Sequence, residues 1–205
     1  MLNTGSTLNR LVQVDKQSYN AGEVILFPGD PTYLYRVTKG LVRIHTVDDE
    51  GNGLTLRYVK PEGYFGEESV RGIYRGYFAE AVTPCDLEVL DPTLLDERTL
   101  GELTAHLVDA IEMLYRSLFR LSGKRLRSRI AAELLELQDS ALASQNDKGQ
   151  AVVHITHDDL AAAVGSVRET VTKVVGELSR LDAISAGYGK ITLTNLALLG
   201  NISDE

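Results

Sequence analysis

The chain has 205 residues, a formal net charge of −8, 43% hydrophobic and 24% charged residues, and one cysteine. This length suits two folded domains, and Cys85 alone excludes an internal disulfide or a Cys-ligated cluster or zinc site within one chain. No apolar run approaches the roughly 18 residues of a bilayer span, the acidic balance argues against wholesale coating of a phosphate backbone, and the opening MLNTGSTLNRLVQVDKQ lacks the apolar core of an export signal, so a cytoplasmic protein is expected.

From residue 18 to about 90 the chain reads as short strands punctuated by turns: YNAGEVILFPGD, YLYRVTKGLVRIHTVDDEGNGLTLRYV, EGYFGEES and YFAEAVTPCDLEVL. Regular short strands of this kind predict an antiparallel sandwich or roll. Gly51-Asn52-Gly53, between LVRIHTV and LTLRYV, marks a hairpin because these residues tolerate positive φ. Cys85, in PCDLEVL, reads as buried filling.

After Asp91-Pro92 the texture becomes helical. Leu107, Ile111, Leu114, Leu118 and Leu121 form a seam with a seven-residue repeat. Such a seam either joins a second copy or packs on the chain's own β domain; its place between two domains favours a symmetric homodimer. From Tyr115 to Ile130 there are six Arg or Lys and no acid, which reads as a solvated helix face and a cation-rich helix end. Ser122-Gly123 predicts a hinge or helix break. A second helix, LRSRIAAELLELQDSAL, a polar loop, ASQNDKGQ, and a strand-like AVVHI follow.

The segment HDDLAAAVGSVRETVTKVVGELSRL, residues 157–181, holds two short helical patterns split by Gly165. Thr156 can cap the first, with Asp159 at the third position; Leu160, Ala161 and Val164 form its inner face. On the second helix, taken as residues 166–181, Val167, Val171, Val174, Val175, Leu178 and Leu181 form an apolar face, leaving Arg168, Glu169, Thr172, Lys173 and Gly176 opposite. AISAGYGKITLTNL then reads as strand, turn, strand. Two helices, a glycine turn and a β-hairpin make a winged helix-turn-helix. Arg can pair with guanine O6 and N7, and Glu can accept from cytosine N4, so Arg168, Glu169 and Lys173 are the expected base readers. Thr156, His157, Ser166, Thr170, Thr172, Tyr188 and Lys190 are candidates for phosphate contacts. The bland alternative makes Arg168 and Glu169 ordinary exposed charges.

These motifs resemble the CRP/FNR family of bacterial transcription regulators over nearly the whole chain, and within it the stress-response regulators. The resemblance rests on FPGDPTYLYRVTKGLVRIHTVDDEGNGLTLRYVKPEGYFGEE and on HDDLAAAVGSVRETVTKVVGELSR with ISAGYGKITL. It implies an α+β chain: a β-roll sensor domain over 1–95, a dimerisation helix and hinge over 96–124, and a winged helix-turn-helix over 125–205. It further implies a homodimer on double-stranded DNA, a TGTGA-like palindrome, and activation through a surface such as 143–150 touching RNA polymerase. Lys173 stands where cyclic-AMP-responsive members often have Arg. For cyclic AMP, the resemblance implies a cassette of Gly66, Glu67, Glu68, Ser69, Arg75 and Gly76 with Tyr115 on the long helix. Gly66, Glu67 and Arg75 match the family pattern, whereas Glu68-Ser69 and Gly76-Tyr77 depart from it, and Leu114 and Tyr115 replace the hydroxyls expected to meet adenine. Glu68 adds a negative charge where an anion would sit, and Tyr77 fills space. Two rival readings are a β-roll metal enzyme and a nucleotide-sensing module that never touches DNA. The first needs clustered His, yet His45, His106, His154 and His157 are scattered.

Overall fold

The computed structural model describes residues 15–30 and 33–205. Residues 1–14 of the opening segment read for an export signal, and the Pro31-Thr32 pair of the FPGDPTYLY motif, lie outside these residues.

Eight strands build the first body: β1 Asp15–Tyr19, β2 Val24–Leu26, β3 Leu34–Lys39, β4 Val42–Val47, β5 Gly53–Val59, β6 Tyr64–Phe65, β7 Phe78–Ala81 and β8 Cys85–Leu90. They form two four-stranded sheets, ordered β1-β8-β3-β6 and β2-β7-β4-β5, with every pairing antiparallel. Strand alternation sends Val42 and Ile44, Ala79 and Ala81, and Cys85 and Leu87 inward between the sheets. The same alternation turns Arg43 and Glu80 outward, directly opposite each other in the β4–β7 register. The Gly51 hairpin forms as expected: Val47 pairs with Gly53, and Asp48 Oδ1 accepts from the backbone N–H of Glu50 at 3.0 Å and of Asn52 at 2.8 Å. Cys85 is buried, its thiol donating to Leu41 O at 3.3 Å.

Helix α1 spans Glu97–Gly123, with Asp96 Oδ1 accepting from Thr99 N–H at 2.8 Å as its N-cap. Its first half packs on the roll, where Leu103 and Leu107 meet Leu34, Tyr64 and Leu90. The break comes just past Ser122-Gly123: Lys124 (φ −105°, ψ 145°) and Arg125 (φ −65°, ψ 153°) are extended.

The second body comprises α2 Leu126–Leu137, β9 Ala143–Gln145, β10 Ala151–Val153, α3 His157–Val164, α4 Arg168–Arg180, β11 Ile184–Gly187, β12 Lys190–Leu193 and α5 Leu196–Asp204. Its core joins Ile130, Leu134, Leu160, Val171, Leu178, Ile191 and Leu199. Three local expectations need correction. The second helix stops at Leu137 rather than Leu142, because the Ser140 hydroxyl donates to Leu137 O at 2.7 Å and turns the chain. The polar loop 143–150 contains β9, which pairs with β10, and its turn is closed by Asn146 Oδ1 accepting from Lys148 and Gln150 N–H, each at 3.0 Å. Finally, α4 begins at Arg168, so Val167 and Leu181 flank the helix and stay half-exposed instead of completing its buried face. One element went unread in the sequence: α5, capped by Asn195, whose Oδ1 accepts from Leu198 N–H at 3.0 Å, with Leu199 and Ile202 buried.

Candidate nucleic-acid interface

The cap of α3 forms as the sequence suggests. Thr156 Oγ1 accepts from Asp159 N–H at 3.1 Å and donates to Asp159 Oδ2 at 2.6 Å. Leu160, Ala161 and Val164 are buried, and Gly165 makes the turn at φ 61°. Helix α4 then buries Val171, Val175 and Leu178, with Val174 packed partly against the same core. Periodicity therefore leaves Arg168, Glu169, Thr172 and Lys173 on the opposite, exposed face.

Two side-chain contacts join the helices on that side. Arg168 Nη1 lies 3.4 Å from Asp158 Oδ2, and His157 Nδ1 is 2.9 Å from Thr172 Oγ1. Asp158 was not singled out in the sequence; the signal was a carboxylate in the first turn of α3, which also reads as simple helix-end charge. Val167 supplies no side-chain cap; its carbonyl oxygen accepts from the Thr170 and Val171 N–H groups, each at 3.1 Å, which leaves the Arg168 and Glu169 amides without a side-chain cap beside Ser166. The wing is the hairpin β11–β12, whose pairing of Gly187 with Lys190 leaves Tyr188-Gly189 at the tip. Tyr188 is fully exposed there and Lys190 is exposed beside it.

Comparison with known proteins fits this geometry. Residues 128–202 match the Crp-like helix-turn-helix domain, and residues 16–97 match the cyclic nucleotide-binding domain. The transcriptional regulator SdrP of Thermus thermophilus is 51% identical over 191 residues, covering 92% of this chain and 94% of that protein. This chain belongs to the CRP/FNR family of transcription regulators. A crystal structure of a CRP/FNR-family regulator from Thermus thermophilus superposes with a TM-score of 0.89 at 50% identity, covering 93% of this chain and 99% of that one. The cAMP-activated global regulator CRP of Haemophilus influenzae is 28% identical over 181 residues, 84% of this chain and 80% of that protein. The chain is thus a DNA-binding transcription regulator with the CRP/FNR fold, and no helix among the described residues is long and apolar enough to cross a membrane.

The CRP/FNR cassette in its β-roll is assembled but filled. Gly66 turns the chain at φ 81° into a short 3-10 helix, Glu67–Arg71, that carries Glu67, Glu68 and Ser69. Arg75 is 1% exposed, and its Nε and Nη1 have no hydrogen-bond partner among the described residues. Its Nε lies 3.9 Å from Glu68 Oε2. Tyr77 accepts from Gly66 N–H at 3.2 Å and donates to Glu68 at 2.8 Å, and its ring lies 5.7 Å from the Arg75 guanidinium. Burial, reinforced by Glu67 and Glu68, pushes the Tyr77 phenol up, so it stays a donor. Glu67 is taken by Arg57 Nη2 at 2.6 Å, while Arg57 Nη1 meets His106 Nε2 at 3.0 Å. Gly76 sits between Arg75 and Tyr77, and Tyr115 lies exposed on α1. As arranged, these residues do not fit a cyclic phosphate. The Gly66 amide that would hold it is spent on Tyr77, and the Glu68 carboxylate already faces Arg75.

Proposed function

We propose that the protein works as a homodimer reading a TGTGA-like palindrome, with Arg168, Glu169 and Lys173 on base edges. Thr156, His157, Ser166, Thr170, Thr172, Tyr188 and Lys190 then hold phosphates. The observation carrying this reading is the α4 face itself: its base-reading side chains are exposed while the opposite side of the same helix is sealed in the core. The acidic balance of the chain keeps the rest of the molecule from clinging to DNA, so affinity rests on few contacts per subunit. Activation of stress-response promoters, with a surface such as 143–150 touching RNA polymerase, extends the proposal. The similarity to the transcriptional regulator SdrP supports its regulatory part.

Fluorescence anisotropy with a TGTGA-type palindrome and a random duplex tests the assignment. Arg168→Ala should weaken palindrome binding roughly 5- to 150-fold per lost base contact, from about 1–3 kcal/mol, and change random-duplex binding little. Equal loss on both duplexes contradicts base reading. For cyclic AMP, Arg75 has no hydrogen-bond partner on Nε or Nη1 among the described residues, but entry of an anion requires Glu68 to leave Arg75 and Tyr77 to swing away from Gly66. A several-fold shift in DNA affinity on adding cyclic AMP establishes coupling; unchanged affinity removes cyclic AMP as the effector and favours control by protein abundance.

A further inference from the structure

The covalent tie between the sensor body and the reading head is thin. It consists of Lys124 and Arg125, both extended, between α1 and α2. Two residues of extended chain do not fix the angle of a domain. That angle has to come from side chains where the bodies meet, and the meeting surface is incompletely packed. Tyr58 of β5 packs across onto the head core, but a cavity of about 410 Å³ lies between β5, α1 and α2, so the interlocking that makes a protein interior rigid is incomplete there.

Next to Tyr58, which lines this gap and is the cross-strand partner of Arg43 on β4, sits a triad of charges. Arg43, on the outward side of β4, donates Nη1 to Asp159 Oδ1 and Nη2 to Glu80 Oε2, both at 2.7 Å. The side chains of Arg43, Glu80 and Asp159 are 15%, 21% and 42% exposed, so the pairing is better shielded than a surface ion pair. Glu80 is the cross-strand partner of Arg43, which holds the guanidinium in place before the head arrives. Asp159 meanwhile closes the cap of α3 with its other oxygen. One carboxylate therefore joins the roll to the helix end that carries Thr156 and His157, and His157 reaches α4 through Thr172.

We infer that Arg43 is a positioning residue for DNA recognition: by tying Asp159 to Glu80 it sets the angle of each head on its β-roll. In a dimer, that angle fixes the separation of the two α4 helices and hence the half-site spacing accepted. The inference rests on the palindrome reading above and adds a spacing determinant outside the head.

The test uses the full chain and four duplexes: the palindrome, the same site with one base pair inserted or removed at its centre, and a single half-site. Wild type should prefer the native spacing over either altered duplex by about tenfold or more. Arg43→Gln and Asp159→Asn should each reduce that preference to within about threefold. Because both break one contact, the double variant should fall no further than either single variant. Binding to the half-site duplex should stay within twofold of wild type, which shows an intact head. A preference unchanged in Arg43→Gln, or losses that multiply in the double variant, overturns the inference, as does equal tolerance of all spacings by wild type. Half-site binding that falls along with the preference also overturns it, since Arg43 would then support folding of the head. Failure of wild type to distinguish the palindrome from a random duplex removes the DNA reading itself, and this inference with it.

Discussion

Glu133, half-buried on α2, lines the cavity between the two bodies, and its carboxyl makes no hydrogen bond among the described residues. The nearby cation, Arg120, is engaged by Glu136 at 3.0 Å. Burial first, and the Glu136 charge second, push the Glu133 carboxyl up to about 7. The folded protein thus keeps a proton that the unfolded chain has lost, so the stability this group contributes is present below its unfolded pKa and disappears as pH rises through about 7. Glu133→Gln removes that dependence. The variant should match wild type near pH ~4.5 and exceed it at pH ~8 by on the order of 1–3 kcal/mol, at about 1.4 kcal/mol per pKa unit. His45 and His106 are held below the usual imidazole range, both mainly by burial, then by Arg43 and Arg57 respectively. They remain in both proteins and cancel in the difference. Urea midpoints across this range check the claim, and a gap constant with pH sinks it. At the same scale, the Glu68 and Tyr77 departures were visible in the sequence as a charge and a volume. Their mutual hydrogen bond and the seat of Tyr77 on Gly66 N–H were not, because they depend on where the 3-10 turn places them.

Among the elements, the turns show how far local chemistry reaches. Gly40, between β3 and β4, and Gly51, between β4 and β5, have nearly the same backbone angle, φ 89° and 86°. Their surroundings differ. A Cβ at Gly40 would collide with the Pro84 carbonyl oxygen and lie 2.7 Å from Cys85 Sγ, whereas one at Gly51 meets nothing within 4 Å. Gly51→Ala should cost about 1 kcal/mol, the left-handed penalty alone. Gly40→Ala should cost about 2–4 kcal/mol, since backbone must move as well. Equal shifts in chemical denaturation midpoint would contradict this. The same divide explains the misread elements. β9 is short and polar, and its strand character comes from pairing with β10. In α5, the Asn195 cap followed by Leu196, Leu199 and Ile202 was a usable helix signal, but only packing on the head core makes so short an apolar run a helix.

At the level of the whole molecule, the apolar seam of α1 divides. Leu107 packs on the roll, but Ile111, Leu114, Leu118 and Leu121 remain exposed in the single chain, Leu118 at 61%. Packing on the roll thus accounts for Leu107 alone, and the four exposed residues are the part of the seam we propose joins a second copy. Burying exposed leucines against a partner is worth up to roughly 1.5–3 kcal/mol each, so Leu118→Lys should convert a dimer into a monomer in sedimentation equilibrium. Palindrome affinity should fall toward that of a half-site. A variant that still sediments as a dimer would refute the seam.

Sequence alone determined the elements whose signals are short-range: the roll's strand alternation, the Thr156–Asp159 cap, the glycine turn and the two-faced α4. Such features follow from residues within a turn or two of one another, where backbone geometry fixes which side chains meet. Tertiary structure alone decided that Arg43 would meet Asp159, 116 positions away, and that the Tyr77 hydroxyl would take the Gly66 N–H and meet Glu68. An exposed charge on a strand carries no mark of its distant partner; that choice is made when the two bodies pack.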